Sequence, residues 1–143
     1  MKVVVKRIYE PVSRTDGARV LVDRLWPRGL TKADAALDEW LRDLSPSDEL
    51  RQWYHARPGY WTSFRKKYLK ELVQPEADQG LRRLYHLAHQ KKRVTLLFAS
   101  RNETRNNAVV LKELLEGMRK PPDGTGPGAV SAMRKREAAV RRR

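Results

Sequence analysis

Val94-Thr95-Leu96-Leu97-Phe98-Ala99 is a continuous apolar run that follows a long stretch of helical pattern. A run this short and this apolar predicts a strand covered on both faces. Helices followed by a buried strand are the order of a crossover to a parallel neighbour. The segment therefore predicts an α/β fold with a largely parallel sheet.

Working outward from it, the loop Ser100-Arg101-Asn102-Glu103-Thr104 leads into a helix over about Arg105 to Met118, with Ala108, Leu111, Leu115 and Met118 facing inward. The domain is expected to span 1–120. Residues 121–128 hold three Pro and three Gly and read as a linker, and the tail that completes 121–143 has too little apolar surface to pack. On the other side of the run, Pro75 opens a helix carrying Leu81, Leu84, Tyr85 and Ala88. Trp61, Phe64, Tyr68, Leu69 and Leu72 mark the helix before it, whose aromatics read as core. Ser45-Pro46-Ser47-Asp48 signals an earlier start, with Ser45 as the cap and Pro46 at the first helical position.

Two strands are expected near the amino terminus. One runs from Val3 through Tyr9, the other over Ala18 to Asp23, where Val20-Leu21-Val22 suggests a central position. The link between them is too short for a helical crossover, so they pair antiparallel or a further strand lies between them. Trp26-Pro27-Arg28-Gly29 leaves the sheet, because proline cannot continue a central ladder. Thr31-Lys32-Ala33-Asp34 has the form of a capping box with Asp in place of Glu.

Composition narrows the chemistry. The 143 residues contain no cysteine, which excludes disulfides, thiolate nucleophiles and cysteine-bound metals. His86 and His89 stand three apart on a helix, but no third ligand accompanies them, and they read as a solvated face. Nothing points to a cofactor, a metal or a membrane span, and the expected compartment is the cytoplasm. The formal net charge is +14. Residues 123–143 carry +4 of it, which leaves +10 on the rest of the chain. Such a field attracts anions: phosphates, nucleic acid or acidic surfaces.

In open parallel sheets, ligands bind beyond the carboxyl ends of the strands. Two segments leave strands there. In one, Asp23 ends an apolar strand and Arg24 and Arg28 flank Trp26. Asp23 is a candidate general base, or a buried carboxylate bonded to an arginine or to backbone N–H groups. Its arginines form a candidate anion clamp, or a structural pair with Trp26 filling the core. In the other segment, Ser100, Arg101, Arg105 and Asn106 precede a helix whose first N–H groups favour an anion; ordinary capping is the alternative. His55 is a second catalytic candidate, titrating near neutral pH or simply closing a helix end. No catalytic triad is evident.

Taken together, Lys6-Arg7-Ile8-Tyr9, Leu21-Val22-Asp23-Arg24-Leu25-Trp26-Pro27-Arg28-Gly29, Leu44-Ser45-Pro46-Ser47 and Leu96-Leu97-Phe98-Ala99-Ser100 with Asn106-Asn107-Ala108 resemble the YeaO-like family of small bacterial proteins. The resemblance covers about residues 1–119. It implies a three-layer α/β sandwich and a short strand within Leu37 to Leu41, but no established reaction. Relatives in the wider family carry a Cys-His-Arg string near the last strand, where this chain reads Ala99-Ser100-Arg101, so no thiolate role carries over. The leading expectation is a site for a phosphorylated or other anionic small molecule at the strand ends, with or without catalysis. The alternatives are a nucleic-acid-binding protein using a basic face and, weakly and without sequence preference, its tail, and a protein-interaction module.

Overall fold

The apolar run forms the inner strand on which the sheet is built. In the computed structural model, which describes residues 1–122, nine helices and strands follow in order. They are β1 (Lys2–Arg7), β2 (Ala18–Leu21), α1 (Lys32–Ala35), β3 (Glu39–Trp40), α2 (Asp48–Ala56), α3 (Trp61–Glu71), α4 (Pro75–Lys91), β4 (Arg93–Phe98) and α5 (Asn107–Gly117). Two short 3-10 turns, Arg14–Asp16 and Arg42–Leu44, connect them. The Pro/Gly linker and basic tail expected over 121–143 lie, from Asp123 onward, outside the described residues.

All four strands are parallel, in the order β1-β4-β2-β3. The short link between β1 and β2 is thus explained by β4 lying between them, and the antiparallel alternative is excluded. Gly17 makes this route possible. It sits at φ +64, and a Cβ there would lie 2.4 Å from the Arg93 carbonyl oxygen at the start of β4. The short strand implied within Leu37 to Leu41 is β3.

Side-chain alternation divides the sheet into two faces. Val94, Leu96 and Phe98 of β4, with Val20 and Val22 from the β2 segment, pack under α2 to α5 against Leu50, Phe64, Leu81, Leu84, Leu111 and others. Leu21, Leu97 and Ile8 point the other way, under a thinner cover of α1, Leu30, Leu37 and the edge-to-face pair Trp26–Trp40. No described helix is long and apolar enough to cross a membrane.

Two start signals resolve differently from the sequence expectation. α2 is capped by Ser47, whose hydroxyl accepts the Leu50 N–H, while Ser45 closes the preceding 3-10 turn by donating to the Arg42 carbonyl. Glu71 explains the choice: its carboxylate takes both the N–H and the hydroxyl of Ser47, which fixes that residue in the capping position. The last helix begins at Asn107 rather than near Arg105, because Asn106 is its cap and accepts the Val109 N–H.

The thin face contains a buried ionic cluster. The Asp16 carboxylate lies 3.1 Å from Lys6 Nζ and 2.6 Å from Arg19 Nη1, and it accepts the Ser13 N–H. Arg19 spends its remaining donors on the Ala35 and Ala36 carbonyls, tying α1 to the sheet. Burial pushes the Asp16 carboxyl up, but the Ser13 N–H, Lys6 and Arg19 outweigh it and hold the group below the ordinary aspartate range. A carboxyl lowered by folding stabilises the native state above its unfolded pKa, and that contribution is lost as pH falls through the folded value. Asp16→Ala, which takes the carboxylate partner from the buried Arg19 and the half-buried Lys6, should cost about 3–5 kcal/mol at neutral pH. Urea unfolding of both proteins should show the difference shrinking steadily below the ordinary carboxylate range; a constant difference down to pH 2 would contradict this account.

Candidate functional site

Because β1, β4 and β2 are adjacent and parallel, the segments leaving their carboxyl ends meet on one edge. The loops after β2 and β4 do share a rim, and Asp23 joins them. Its Oδ2 accepts the Ala99 N–H at 2.8 Å, and its Oδ1 accepts from Asn107 Nδ2 at 3.1 Å. The same Asn107 amide donates to the Val22 carbonyl. The Asp23 carbonyl in turn accepts the Trp40 indole N–H at 2.7 Å.

Asp23 is half-buried, and its side chain bonds no arginine. Of the two expected kinds of partner, the backbone N–H is present, from Ala99 at the end of β4, whereas an amide from the first residue of α5 stands in place of the arginine. Burial pushes the Asp23 carboxyl up; the Ala99 N–H, the Asn107 amide and the charge of Arg51 only partly offset that. With both oxygens hydrogen-bonded, Asp23 serves as a latch between two loops.

The other candidates distribute around this latch. Arg24 donates to the Pro46 carbonyl and so leans toward the segment before α2. Arg28 is exposed, and its carbonyl accepts the Tyr9 hydroxyl, which places it beside the turn after β1. Trp26 fills the thin-face core and donates to the Leu30 carbonyl. In the second loop, the Ser100 hydroxyl accepts the Asn102 N–H. The Asn102 side chain accepts from the Thr104 and Arg105 N–H groups and from the Thr104 hydroxyl. Asn106 is buried as the α5 cap and donates to the Asn102 carbonyl. Most polar groups of this loop thus hold the loop itself, whereas the Arg101 and Arg105 side chains extend into solvent. His55 is exposed in the last turn of α2, and among the described residues no hydrogen bond or ion pair joins it to the latch.

Sequence reasoning missed two contributors, Arg7 and Tyr9. Arg7 donates through Nε to the Ala99 and Ser100 carbonyls, and its guanidinium lies 4.8 Å from the centre of the Tyr9 ring. Asn107 completes the latch. The direction of β1 would have revealed Arg7 and Tyr9, since a parallel β1 delivers them to the same edge. Among the described residues, no ion pair to a carboxylate engages Arg7, Arg24, Arg28, Arg101 or Arg105.

A shallow cleft of about 270 Å³ between α2 and α3 is lined by Ser47, Glu49, Leu50, Trp53, Lys67 and Glu71, none of them a rim residue. Glu71 is committed to Ser47, and Lys67 sits 5.1 Å from the Trp53 ring centre. Among the described residues no group of three or more His, Cys, Asp or Glu side chains could hold a metal ion.

Comparison with known proteins adds relatives without an assigned activity. A family model described as the inactive DUF488-N3 subclade matches residues 2–131. The uncharacterised protein YeaO of Escherichia coli (strain K12) is 44% identical over 118 residues, covering 82% of this chain and 100% of its own. An uncharacterised protein of Mycobacterium bovis is 41% identical over 116 residues, covering 81% of this chain and 95% of its own. No solved structure matches.

The latch gives a direct expectation. Hydrogen bonds to a charged group contribute about 1.5–3 kcal/mol each, less the cost of burying that charge. Asp23→Ala should therefore lower stability by about 2–3 kcal/mol at neutral pH. A carboxyl raised by folding contributes most when protonated, and the contribution declines as pH rises through the folded value. The Asp23→Ala deficit should accordingly grow, not shrink, as pH is lowered through the carboxylate range. Thermal or urea unfolding from pH 7 to pH 3 reads this, and an unchanged midpoint at neutral pH would remove the latch.

Proposed function

This chain belongs to the YeaO-like family, whose matching subclade is described as inactive, and from that premise we propose that the strand-end rim binds a phosphorylated or other anionic small molecule. The observation that carries this reading is the joining of the two arginine-bearing loops by Asp23. Holding Arg7, Arg24, Arg28, Arg101 and Arg105 on one edge costs mutual repulsion, which a bound anion relieves. A guanidinium offers paired donors in the geometry that carboxylate and phosphate oxygens accept.

Binding without turnover fits the groups at hand. Ser100 stands in the region where relatives in the wider family carry cysteine, and the Asp23 oxygens are already engaged. Calorimetric titration with pyrophosphate tests the reading. Arg28→Ala or Arg101→Ala should each weaken binding by tenfold or more, since one charged hydrogen bond contributes about 1.5–3 kcal/mol. Replacing Arg134, Lys135, Arg136, Arg141, Arg142 and Arg143 with Ser should leave it unchanged. Loss of binding through the second change alone would defeat the proposal.

A second reading, a polyanion held on a basic face, draws on the opposite end of the sheet. Lys2 is in register with Arg93, its N–H donates to the Lys92 carbonyl at 2.9 Å, and Lys91 precedes them in the last turn of α4. Four cations thus gather at the amino edge, where the sequence-independent, salt-dependent contact of a nucleic acid would form, with the tail adding to it. Lys91→Ala with Lys92→Ala should reduce the slope of log affinity for duplex DNA against log salt by about two. An unaltered slope would leave this face without a role in DNA binding.

A further inference from the structure

We infer that the ligand of the rim carries an aromatic base as well as phosphate, which makes it a nucleotide, either free or as a unit of a single strand. This rests on the anionic reading of the rim and adds a substrate class to it. The observation behind it is Tyr9, in the turn that follows β1. The residue is 41% exposed, yet its side chain is held at two points. The hydroxyl donates to the Arg28 carbonyl at 2.9 Å. The Arg7 guanidinium lies over the ring, and Arg7 Nε is anchored to the Ala99 and Ser100 carbonyls at 3.3 and 3.2 Å. One residue is thereby wired to both arginine-bearing loops.

An aromatic ring fixed in this way is already ordered, so a partner stacking on it has little side-chain entropy to overcome. Its hydroxyl has a partner and the guanidinium lies over the ring, so what its exposed part can offer a ligand is aromatic surface. A nucleobase is the flat π surface that matches it, and the stacking is indifferent to base identity. Leu25, 55% exposed in the loop after β2, adds apolar surface to the same edge. The neighbouring aromatics are used otherwise. Trp26 and Trp40 pack on each other in the thin-face core, and Tyr54 stacks on Phe64 at 4.2 Å. The Arg28 carbonyl holds the Tyr9 hydroxyl and Arg101 follows the Ser100 carbonyl that holds Arg7, so both arginines belong to segments in contact with the Arg7–Tyr9 pair.

The test compares ribose 5-phosphate with AMP on the full chain by calorimetry. AMP should bind about tenfold or more tightly, the gain of one stacked base. Tyr9→Ala should abolish that gain while leaving ribose 5-phosphate affinity within about twofold, and Tyr9→Phe, which keeps the ring, should retain the gain. Equal affinities for AMP and ribose 5-phosphate, a gain that survives Tyr9→Ala, or a gain lost in Tyr9→Phe would each overturn the inference and leave the anionic reading standing. Absence of ribose 5-phosphate binding, or binding indifferent to Arg28→Ala, would overturn the anionic reading itself. A single-stranded hexanucleotide separates the two sources. Tighter Tyr9-dependent binding than AMP assigns the rim to a strand, and equal or weaker binding assigns it to the free nucleotide.

Discussion

Everything at the rim depends on the parallel insertion of β4 between β1 and β2. A strand paired on both sides has its backbone groups taken up by two neighbours, and the burial of Val94 through Phe98 on both faces makes any register shift costly. Parallel pairing also has a directional consequence. The three strands end on the same edge, so Tyr9, Asp23 and Ala99 arrive together without any of them specifying the others. Asp23 then converts this proximity into fixed geometry by bonding the end of β4 and the start of α5.

Asp16 and Asp23 hold opposite regions of the sheet by different means. Asp16 is surrounded by cations and N–H donors, so its charge is favoured and the folded protein gains from ionising it. Asp23 is held by two donors against a larger desolvation cost, and folding gains from protonating it. Acid therefore removes the stabilisation that ionised Asp16 gives the thin face, while protonation of Asp23 relieves the cost of burying its charge at the rim. The same residue type serves both junctions, and the neighbours alone decide the sign.

The architecture was legible wherever one strong local signal sufficed. The 94–99 run announced a buried strand, Pro75 opened α4 as expected, and Thr31 caps α1 by accepting the Asp34 N–H. The Ser45 assignment failed for a reason no local pattern contains: Glu71, from a different helix, selects Ser47. The meeting of the two rim loops was readable from strand ends alone. A backbone N–H was among the expected partners of Asp23, but the choice between it and an arginine, and the Asn107 amide beside it, depend on which donors β4 and α5 bring within reach. Arg7 and Tyr9 escaped notice because the direction of β1 was ambiguous until β4 was placed beside it.

What the rim can do follows from which of its groups remain uncommitted. The Thr104 hydroxyl and the Asn102 and Asn106 amides are consumed in shaping the loop before α5. Asp23 and Asn107 are consumed in joining that loop to β2. The exposed arginines and the ring of Tyr9 have no such structural duty at their outer surfaces. Charge and aromatic surface left outside the hydrogen-bond scaffold are the features on which the proposed recognition of an anionic ligand rests.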